Sequence, residues 1–496
     1  MDMNEKSSVN NFDENNYEEK LKKYYGDMLV YKSSANSKFF SALSLPSFMR
    51  DWLVMRFSDK DGVINKKEVL NYVNRVIPKK DQWNEYLVDL IHNAQSARFL
   101  AKIKIDFDAK TRTALFSLPD FEVPKSRNDA IVEWDVIDLH RDYLLSPTEI
   151  WGIVEIILDD SNKYRLIDFQ PFCPYTIDLN YYIEARKYFT IDEWIDVMLS
   201  AIDYNPKGYV TQTQKLTMLS RLLPFVEKRI NLIELAPKET GKSYVFAQLS
   251  KYGWLVSGGS ISRAKMFYDI SKRTPGLVSR YDYVAFDEIQ SIKFTDAMEM
   301  QGALKGYLES GEYRVGATRG VGDAGLILLG NIDAELMNEN QNMFQDLPEI
   351  FHESALLDRF HGFIKGWNIP KMKESLKANG WALNTEYFGE IMHSLRDELS
   401  YRAVVDQLLQ LPKNAATRDT EAIKRICTGY LKLLFPDATD VSKVDVNLFE
   451  RYCLAPAMEM RGVIKTQLGI IDRGEFGGMT IPDISIKEEY HDKKNV

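Results

Sequence analysis

The chain has 496 residues, which at roughly 150 per domain makes about three domains, too much for a small disulfide scaffold. It is 45% hydrophobic and 27% charged, a globular composition, and its net charge of −9 excludes a polycation that coats nucleic acid or anionic lipid along its length. Any DNA contact must come from local basic patches. Cys173, Cys427 and Cys453 lie far apart in sequence without C-x-x-C spacing, so neither a zinc site nor a disulfide framework is expected, and a reducing cytoplasm fits. The first thirty residues are polar and acidic, unlike a signal peptide, and no apolar run approaches the roughly 18 residues of a membrane span. The expectation is a soluble, cytoplasmic protein with no membrane partner.

Along the chain, residues 1–16 lack periodicity and read as a disordered tail. Residues 17–100 repeat apolar positions at helical spacing, as in FMRDWLVMRF and KKEVLNYVNRVI, and read as a helical N-terminal domain, a candidate for DNA binding. Residues 101–185 change to short alternating runs (KIKIDF, TALFSL, AIVEWDVIDL, WGIVEIIL, YRLIDF), which predict a β-rich module. A capping box, Ser146 with Glu149, predicts one short helix among those strands. Residues 186–370 open on the helix TIDEWIDVMLSAI, with Thr190 or Asp192 as N-cap, and then alternate strands with helices, implying a parallel sheet covered on both faces. Residues 371–476 read as an almost purely helical lid, and 477–496 as a second tail.

The strongest motif is the apolar strand NLIEL followed by Ala236-Pro237-Lys238-Glu239-Thr240-Gly241-Lys242-Ser243 and a helix. A strand, such a loop and a helix make a P-loop: backbone N–H groups cradle phosphates, Lys242 reaches the β and γ phosphates, and Ser243 holds Mg²⁺. Two residues depart from the pattern. Ala236 replaces the first glycine, and Glu239 puts a negative charge beside a polyphosphate. Forty-five residues past Lys242, the strand Tyr283-Val284-Ala285-Phe286 ends in Asp287 and Glu288, a Walker B pattern in which Asp287 serves Mg²⁺ and Glu288 the attacking water. A third strand, 326–329, ends in Gly330-Asn331, where Asn331 fits a sensor contact to the γ phosphate. Arg359 in ALLDRF suits an arginine finger reaching a neighbour's site, or else a plain pair with Asp358. Arg418, in TRDTE at a helix start, suits a second sensor on the lid, or else merely flanks a helix cap.

With these elements in order the chain resembles an AAA+ ATPase. The segments KYFTIDEWIDVMLSAIDYNP, KLTMLSRLLPFVEKRINLIELAP, GLVSRYDYVAFDEI, LGNID, LLDRFHGFIKGWNIPKM, RDTEAIKRICTGYLKLLFP and MRGVIKTQL closely resemble the BrxL family, the Lon-related AAA+ component of BREX phage-defence systems. The resemblance is dense from about 185 to 476 and loose before it. It implies an α/β AAA+ P-loop core with a C-terminal helical lid, ATP and Mg²⁺ as cofactors, and a homo-oligomeric ring, a hexamer or stacked double hexamer. It also implies DNA, expected to be duplex, and other phage-defence proteins as partners; with cations for phosphates and no identifiable base reader in the chain, DNA binding is expected to be sequence-independent. The family glycine before Thr240 is Glu239 here. Longer members continue into a Lon-like peptidase domain; only 21 residues follow Glu475, so peptidase activity is not expected.

Members of that family look like replicative MCM helicases in their ATPase core, and in MCM-like proteins a hairpin between the Walker B helix and the sensor strand lines the ring's pore. Here that stretch is GEYRVGATRGVGDAG, glycine-rich as a hairpin should be, with Arg314 and Arg319 placed for phosphates. The stretch before Walker B, ISRAKMFYDISKRTPGLVSR, carries Arg263, Lys265, Lys272, Arg273 and Arg280, either a second pore element or an ordinary solvated face. Three functions are compatible with these residues: a DNA-encircling or translocating ring ATPase, a protein-remodelling ATPase serving a separate protease or effector, and a nucleotide-switched DNA-binding scaffold.

Overall fold

The computed structural model describes residues 14–491 except 42, 44, 60–61, 78–82, 94, 122, 124–128, 146–148, 173–174, 176 and 272–273. Cys173, Ser146, Lys272 and Arg273 lie outside the described residues.

The first helix, Glu14–Tyr25, starts inside the expected tail and leads into strand β1 (Leu29–Lys32). Leu21, Tyr25 and Leu29 are buried in the large central core beside Trp194 and Leu383, so this part is welded to the rest of the chain. Helices Ser34–Ser41, Ser47–Phe57 and Lys66–Val76 close a small core of their own around Phe40, Leu53, Val54 and Val69. The expectation of a purely helical N-terminal domain missed β1, a four-residue strand that carries too few alternations to read.

A closed five-stranded barrel follows, built from β2 (Ala97–Asp108), β3 (Thr113–Ser117), β4 (Ala130–Val132), β5 (Ile150–Leu158) and β6 (Tyr164–Pro171) in the order β2-β3-β4-β6-β5. Inward Phe99, Ile103, Phe116, Val154, Ile156 and Leu166 fill it, alternating with outward residues as the pleat requires. The β4–β6 pair is parallel and the others are antiparallel. The run AIVEWDVIDL is not one strand: β4 ends at Val132 and a helix, Trp134–Leu139, follows. β5 begins at Ile150 and Glu149 pairs with Arg280 at 2.5 Å, while Ser146, the other member of the expected capping box, lies outside the described residues.

The core sheet is parallel. Its strands are β7 (Leu232–Ala236), β8 (Gly253–Ser257), β12 (Tyr283–Asp287), β16 (Gly325–Asn331) and β17 (Gly362–Lys365), ordered β17-β7-β16-β12-β8. β7 and β12 are buried at every position, as central strands with both faces covered must be. Between β8 and β12 lie β9 (Ser260–Ile261) and a hairpin of β10 (Tyr268–Asp269) and β11 (Thr274–Pro275); β9 pairs with β13 (Lys293–Phe294). A second hairpin, β14 (Glu312–Val315) and β15 (Thr318–Val321), rises between the helix Ala297–Ser310 and β16. The helix Ile191–Ala201 starts with a complete capping box from Thr190 to Glu193.

The C-terminal region holds the helices Thr385–Leu395, Ser400–Leu408, Thr417–Leu434 and Ala455–Ile471. It is not purely helical. A strand, β18 (Gly380–Leu383), pairs antiparallel with β1, Leu29 opposite Leu383. Nor is the C-terminal stretch a loose tail: β19 (Leu409–Gln410) pairs with β20 (Ser485–Ile486), whose anchor is the buried Ile484 and Ile486. Two apolar residues in a polar context leave no period to detect. Cys427 and Cys453, distant in sequence, are both buried thiols, and Cys427 Sγ donates to the Cys453 carbonyl at 3.6 Å. Among the described residues no helix is long and apolar enough to cross a membrane.

Candidate nucleotide site and cationic hairpin

β7, β16 and β12 all end at the same edge of the sheet. The register sets Asn331 opposite Ala236, and Asp287 ends the strand on the other side of β16. The loop from Ala236 to Ser243 therefore leaves β7 into a crevice at the carboxyl ends of parallel strands, where open α/β sheets take their ligands. The helix Lys242–Gln248 begins at once, with Gly241 at its N-cap in the left-handed region (φ 74°). A Cβ there would lie 2.7 Å from the Tyr204 hydroxyl, so glycine is required twice over.

Lys242 is buried, and its Nζ donates to Asn331 Oδ1 at 2.6 Å. Burial lowers the Lys242 pKa, and the carboxylates of Glu234 and Asp287 oppose that shift. Lys242 and Asn331, 89 residues apart in sequence, thus meet at one point. Gln290 fixes Asn331 from behind, donating Nε2 to its carbonyl at 2.8 Å. Asp287 is buried and accepts the Glu288 N–H at 3.0 Å. Glu288 is exposed and, with φ 48°, held in the left-handed region, a conformation that costs a non-glycine residue about 1 kcal/mol or more and recurs at functional sites. Ser243 is half-buried at the start of the helix; Pro237 is half-buried too, Lys238 and Glu239 are exposed, and Thr240 Oγ1 donates to the Pro237 carbonyl at 3.2 Å. Glu239 also has a positive φ, 70°.

Beneath the loop lies an ion pair that the motif reading missed. Arg221 and Glu234 are fully buried and bidentate, Nε to Oε2 at 3.0 Å and Nη2 to Oε1 at 2.5 Å, and Arg221 Nη1 donates to the Thr240 carbonyl at 3.0 Å. Tyr204 donates its hydroxyl to the Gly241 carbonyl at 3.3 Å, and the Met372 N–H donates to the Glu239 carbonyl at 2.7 Å. The loop's shape is set by these outside partners. A sequence signal existed: Glu234 is an acid inside an otherwise apolar strand, and a buried charge needs a partner.

Arg359 and Arg418 lie elsewhere. Gly362 of β17 sits opposite Leu232, the first residue of β7, so Arg359 is at the amino edge of the sheet, about 13 Å of strand from the loop's edge. It does not pair with Asp358. Arg359 Nε lies 2.9 Å from Glu309, and its Nη1 donates to the Ala355 carbonyl. Asp358 instead binds Arg418 at 3.1 Å and Arg461 at 2.6 Å, and Arg418 also reaches Glu309 at 3.0 Å. The structure thus groups Arg418 with Arg359 and not with the chain's own P-loop.

The two cationic stretches meet. Tyr313 of the β14–β15 hairpin is buried against Phe267, ring centroids 5.4 Å apart, and its hydroxyl lies 3.0 Å from Ser279 Oγ. Arg314 and Arg319 face each other directly across the hairpin, both exposed. Arg263 pairs with Glu299, Lys265 is exposed, and Arg280 is taken by Glu149.

Comparison with known proteins follows this geometry. Residues 164–481 match the family model "Lon-like protease BrxL-like, ATPase domain", and residues 23–157 match "BREX system Lon protease-like protein BrxL N-terminal". The chain belongs to the BrxL family. It is 31% identical over 458 residues to the Lon-like protease BrxL of Escherichia coli O9:H4 (strain HS), covering 89% of this chain and 62% of that protein. It is 32% identical over 345 residues to the Lon-like protease BrxL of Bacillus cereus (strain H3081.97), covering 68% of this chain and 49% of that protein. This chain therefore aligns with about half to three-fifths of the length of these BrxL relatives. The ATPase-domain match spans the loop, the Walker B strand, Asn331, Arg359 and Arg418 together.

Proposed function

We propose that this BrxL-family chain is a ring-forming AAA+ ATPase that encircles or translocates on DNA in a BREX-type antiphage defence system. The observation that carries the DNA contact is the hairpin: Arg314 and Arg319 are cross-strand partners, exposed, and without an ion pair among the described residues. Like charges directly opposite on a strand pair are destabilising, and a phosphate lying between them reverses the sign. Tyr313 is buried, so the hairpin does not offer the aromatic tip with which a polypeptide-threading ATPase would grip its substrate.

The ATP chemistry is assigned by position. The loop N–H groups and Lys242 hold the phosphates, Asn331 aligns the γ end, and Glu288 takes the proton of a water attacking the γ phosphorus, releasing ADP and phosphate. Ser243 and Asp287 offer the hard oxygen donors that Mg²⁺ accepts, and bound there Mg²⁺ would neutralise charge on the β and γ oxygens. Because Lys242 and Arg359 lie at opposite edges of one sheet, a head-to-tail ring is the arrangement that brings them together. Arg418 travels with Arg359 and acts on the same neighbour. The closed five-stranded barrel, an architecture shared with oligonucleotide-binding OB domains, and a cytoplasmic location fit the same reading.

Glu288→Gln tests it. The variant keeps the Asp287 carboxylate but loses the base, so it binds ATP and stalls before hydrolysis. Purified from cells with ATP, it is expected to retain nuclease-sensitive duplex. Retention of a polypeptide client instead would replace DNA as the substrate, and parent-level hydrolysis would overturn the role of Glu288.

A further inference from the structure

Taking a charge out of water is costly, so a buried cation normally comes with a counter-charge. Among the described residues Lys32 and Arg50 have Asp203, Arg221 has Glu234, Arg396 has Asp282, Lys432 has Glu227, and Arg461 and Lys465 have Asp419. Lys242 and Arg186 are the exceptions: both are buried, and neither has a carboxylate within ion-pair distance among those residues. Lys242 stands at the nucleotide site, where a polyphosphate would supply the charge. Arg186 stands elsewhere. It ends the helix Leu179–Arg186 and lines a cavity that touches Thr190 and Ile191, at the amino end of Ile191–Ala201. Tyr204, which donates to the P-loop, follows the carboxyl end of that helix, about 16 Å along its axis.

The Arg186 guanidinium is fixed from one side. Its Nε donates to the Leu434 carbonyl at 3.1 Å and its Nη1 to the Phe189 carbonyl at 2.6 Å, and its centre lies 5.2 Å from the Trp194 ring. These bonds cap the end of the helix Thr417–Leu434 with partial charges only, and Nη2 has no hydrogen-bond partner among the described residues. Burial lowers the Arg186 pKa, and Asp437 opposes that shift from beyond ion-pair distance. Asp437 lines the same cavity, and its carboxylate has neither an ion pair nor a hydrogen bond among the described residues. The other charged groups there are engaged: Lys187 pairs with Glu184 at 2.6 Å, Lys443 donates to Thr439 Oγ1 at 3.2 Å, and the Asp445 carboxylate accepts the Asn447 N–H at 3.0 Å. Phe189, Ile191, Phe435, Val444, Leu448 and Phe449 supply apolar walls.

A free donor on a cation and a free carboxylate in one apolar cavity match a ligand that carries an anion, a cation and a hydrocarbon body. We propose that this cavity binds an apolar α-amino acid as the free zwitterion. The ligand carboxylate accepts from Arg186 Nη2, its ammonium donates to Asp437, and its side chain lies against Phe435, Leu448 and Phe449. A phosphate monoester fits less well, because its second negative charge would meet Asp437. The cavity measures about 320 Å³, at the small end of the range for ligand sites, roughly 300–1,000 Å³, as a ligand of this size requires. The proposal is independent of the nucleotide reading.

Calorimetric titration and thermal melting of the full chain test it. The probes are L-phenylalanine and L-leucine, their amines without the carboxylate (2-phenylethylamine and 3-methylbutylamine), their acids without the ammonium (3-phenylpropionate and 4-methylpentanoate), and phenyl phosphate. At least one amino acid is expected to bind and to raise Tm with dose, and its amine to bind at least about tenfold more weakly. Because Arg186 also caps a helix, the variants leave it in place. Leu448→Trp fills the cavity and is expected to abolish binding. Asp437→Asn is expected to weaken the amino acid about tenfold while the corresponding acid stays within about twofold. ATP affinity is expected to stay within about twofold in both variants, so this proposal and the nucleotide reading fail separately. The proposal is overturned if the parent binds neither amino acid at about 10 mM, if the amine binds as tightly as its amino acid, or if phenyl phosphate binds more tightly than L-phenylalanine. Binding that survives Leu448→Trp, or that Asp437→Asn leaves unchanged, overturns it as well.

Discussion

Arg359 and Arg418 converge on a single carboxylate, Glu309, at 2.9 and 3.0 Å, at the sheet edge opposite the one where Lys242 meets Asn331. Both guanidinium groups are thereby held together, away from the loop of their own chain. Under the proposed ring, they would face a neighbouring subunit.

That placement predicts a pattern of complementation. Lys242→Ala subunits mixed with Arg359→Ala subunits are expected to recover ATP hydrolysis, and so are Lys242→Ala with Arg418→Ala. Arg359→Ala mixed with Arg418→Ala is expected not to recover, since every junction then lacks one arginine. Steady-state phosphate release across mixing ratios checks this, and recovery in the last mixture would separate the two arginines.

Glu239→Gly is expected to improve the protein. Glu239 is exposed with φ 70°, so glycine removes about 1 kcal/mol of backbone strain and deletes a negative charge next to the phosphates. Chemical denaturation should show the stability gain and ATP titration a tighter dissociation constant. Weaker ATP binding would mean that Glu239 contributes a contact of its own.

The Arg221–Glu234 pair separates stability from loop shape. Arg221→Met leaves Glu234 buried without its partner, and about 3–5 kcal/mol of destabilisation is expected. Adding Glu234→Leu is expected to restore much of that stability. ATP affinity should stay low in the double variant, because the Thr240 carbonyl has lost its Arg221 donor. Thermal melts and ATP binding on both variants decide the matter.

A pH dependence follows from Glu386, which is buried beside Glu390 with Lys251 at 2.7 Å. Burial, reinforced by Glu390 and opposed by Lys251, pushes its pKa up to about 7 from an ordinary 4.5. Between those values the folded protein keeps a proton that the unfolded chain releases, so stability falls as pH rises through that window. Glu386→Gln should make the decline in Tm from pH 5 to 7 shallower, and an unchanged slope would place the titration elsewhere.

The elements of the candidate nucleotide site were legible because each is local in sequence: the loop, the strand ending in Asp287 and Glu288, and the strand ending in Asn331 each announce themselves within a few residues. The helix begun by Thr190 was legible for the same reason. What could not be read were the partners brought from afar. Arg221 looks like any helix arginine until Glu234 is seen buried beneath the loop, and the grouping of Arg418 with Arg359 depends on Glu309 lying between them. Short strands such as β1, β18 and β20 are defined by the strand they meet and carry too few residues to show a period.

The pairing of β1 with β18 also constrains how the molecule is made. Leu29 emerges from the ribosome early, yet its partner Leu383 is more than 350 residues away. At about 5–20 residues per second, that separation means on the order of 20–70 seconds during which the first strand has no partner. The barrel, whose strand pairings are all internal to residues 97–171, is free to fold in that interval. The nascent amino-terminal strand must wait with an open edge, a template for wrong pairing. Slowed translation or a missing chaperone should therefore harm this protein at its amino terminus first.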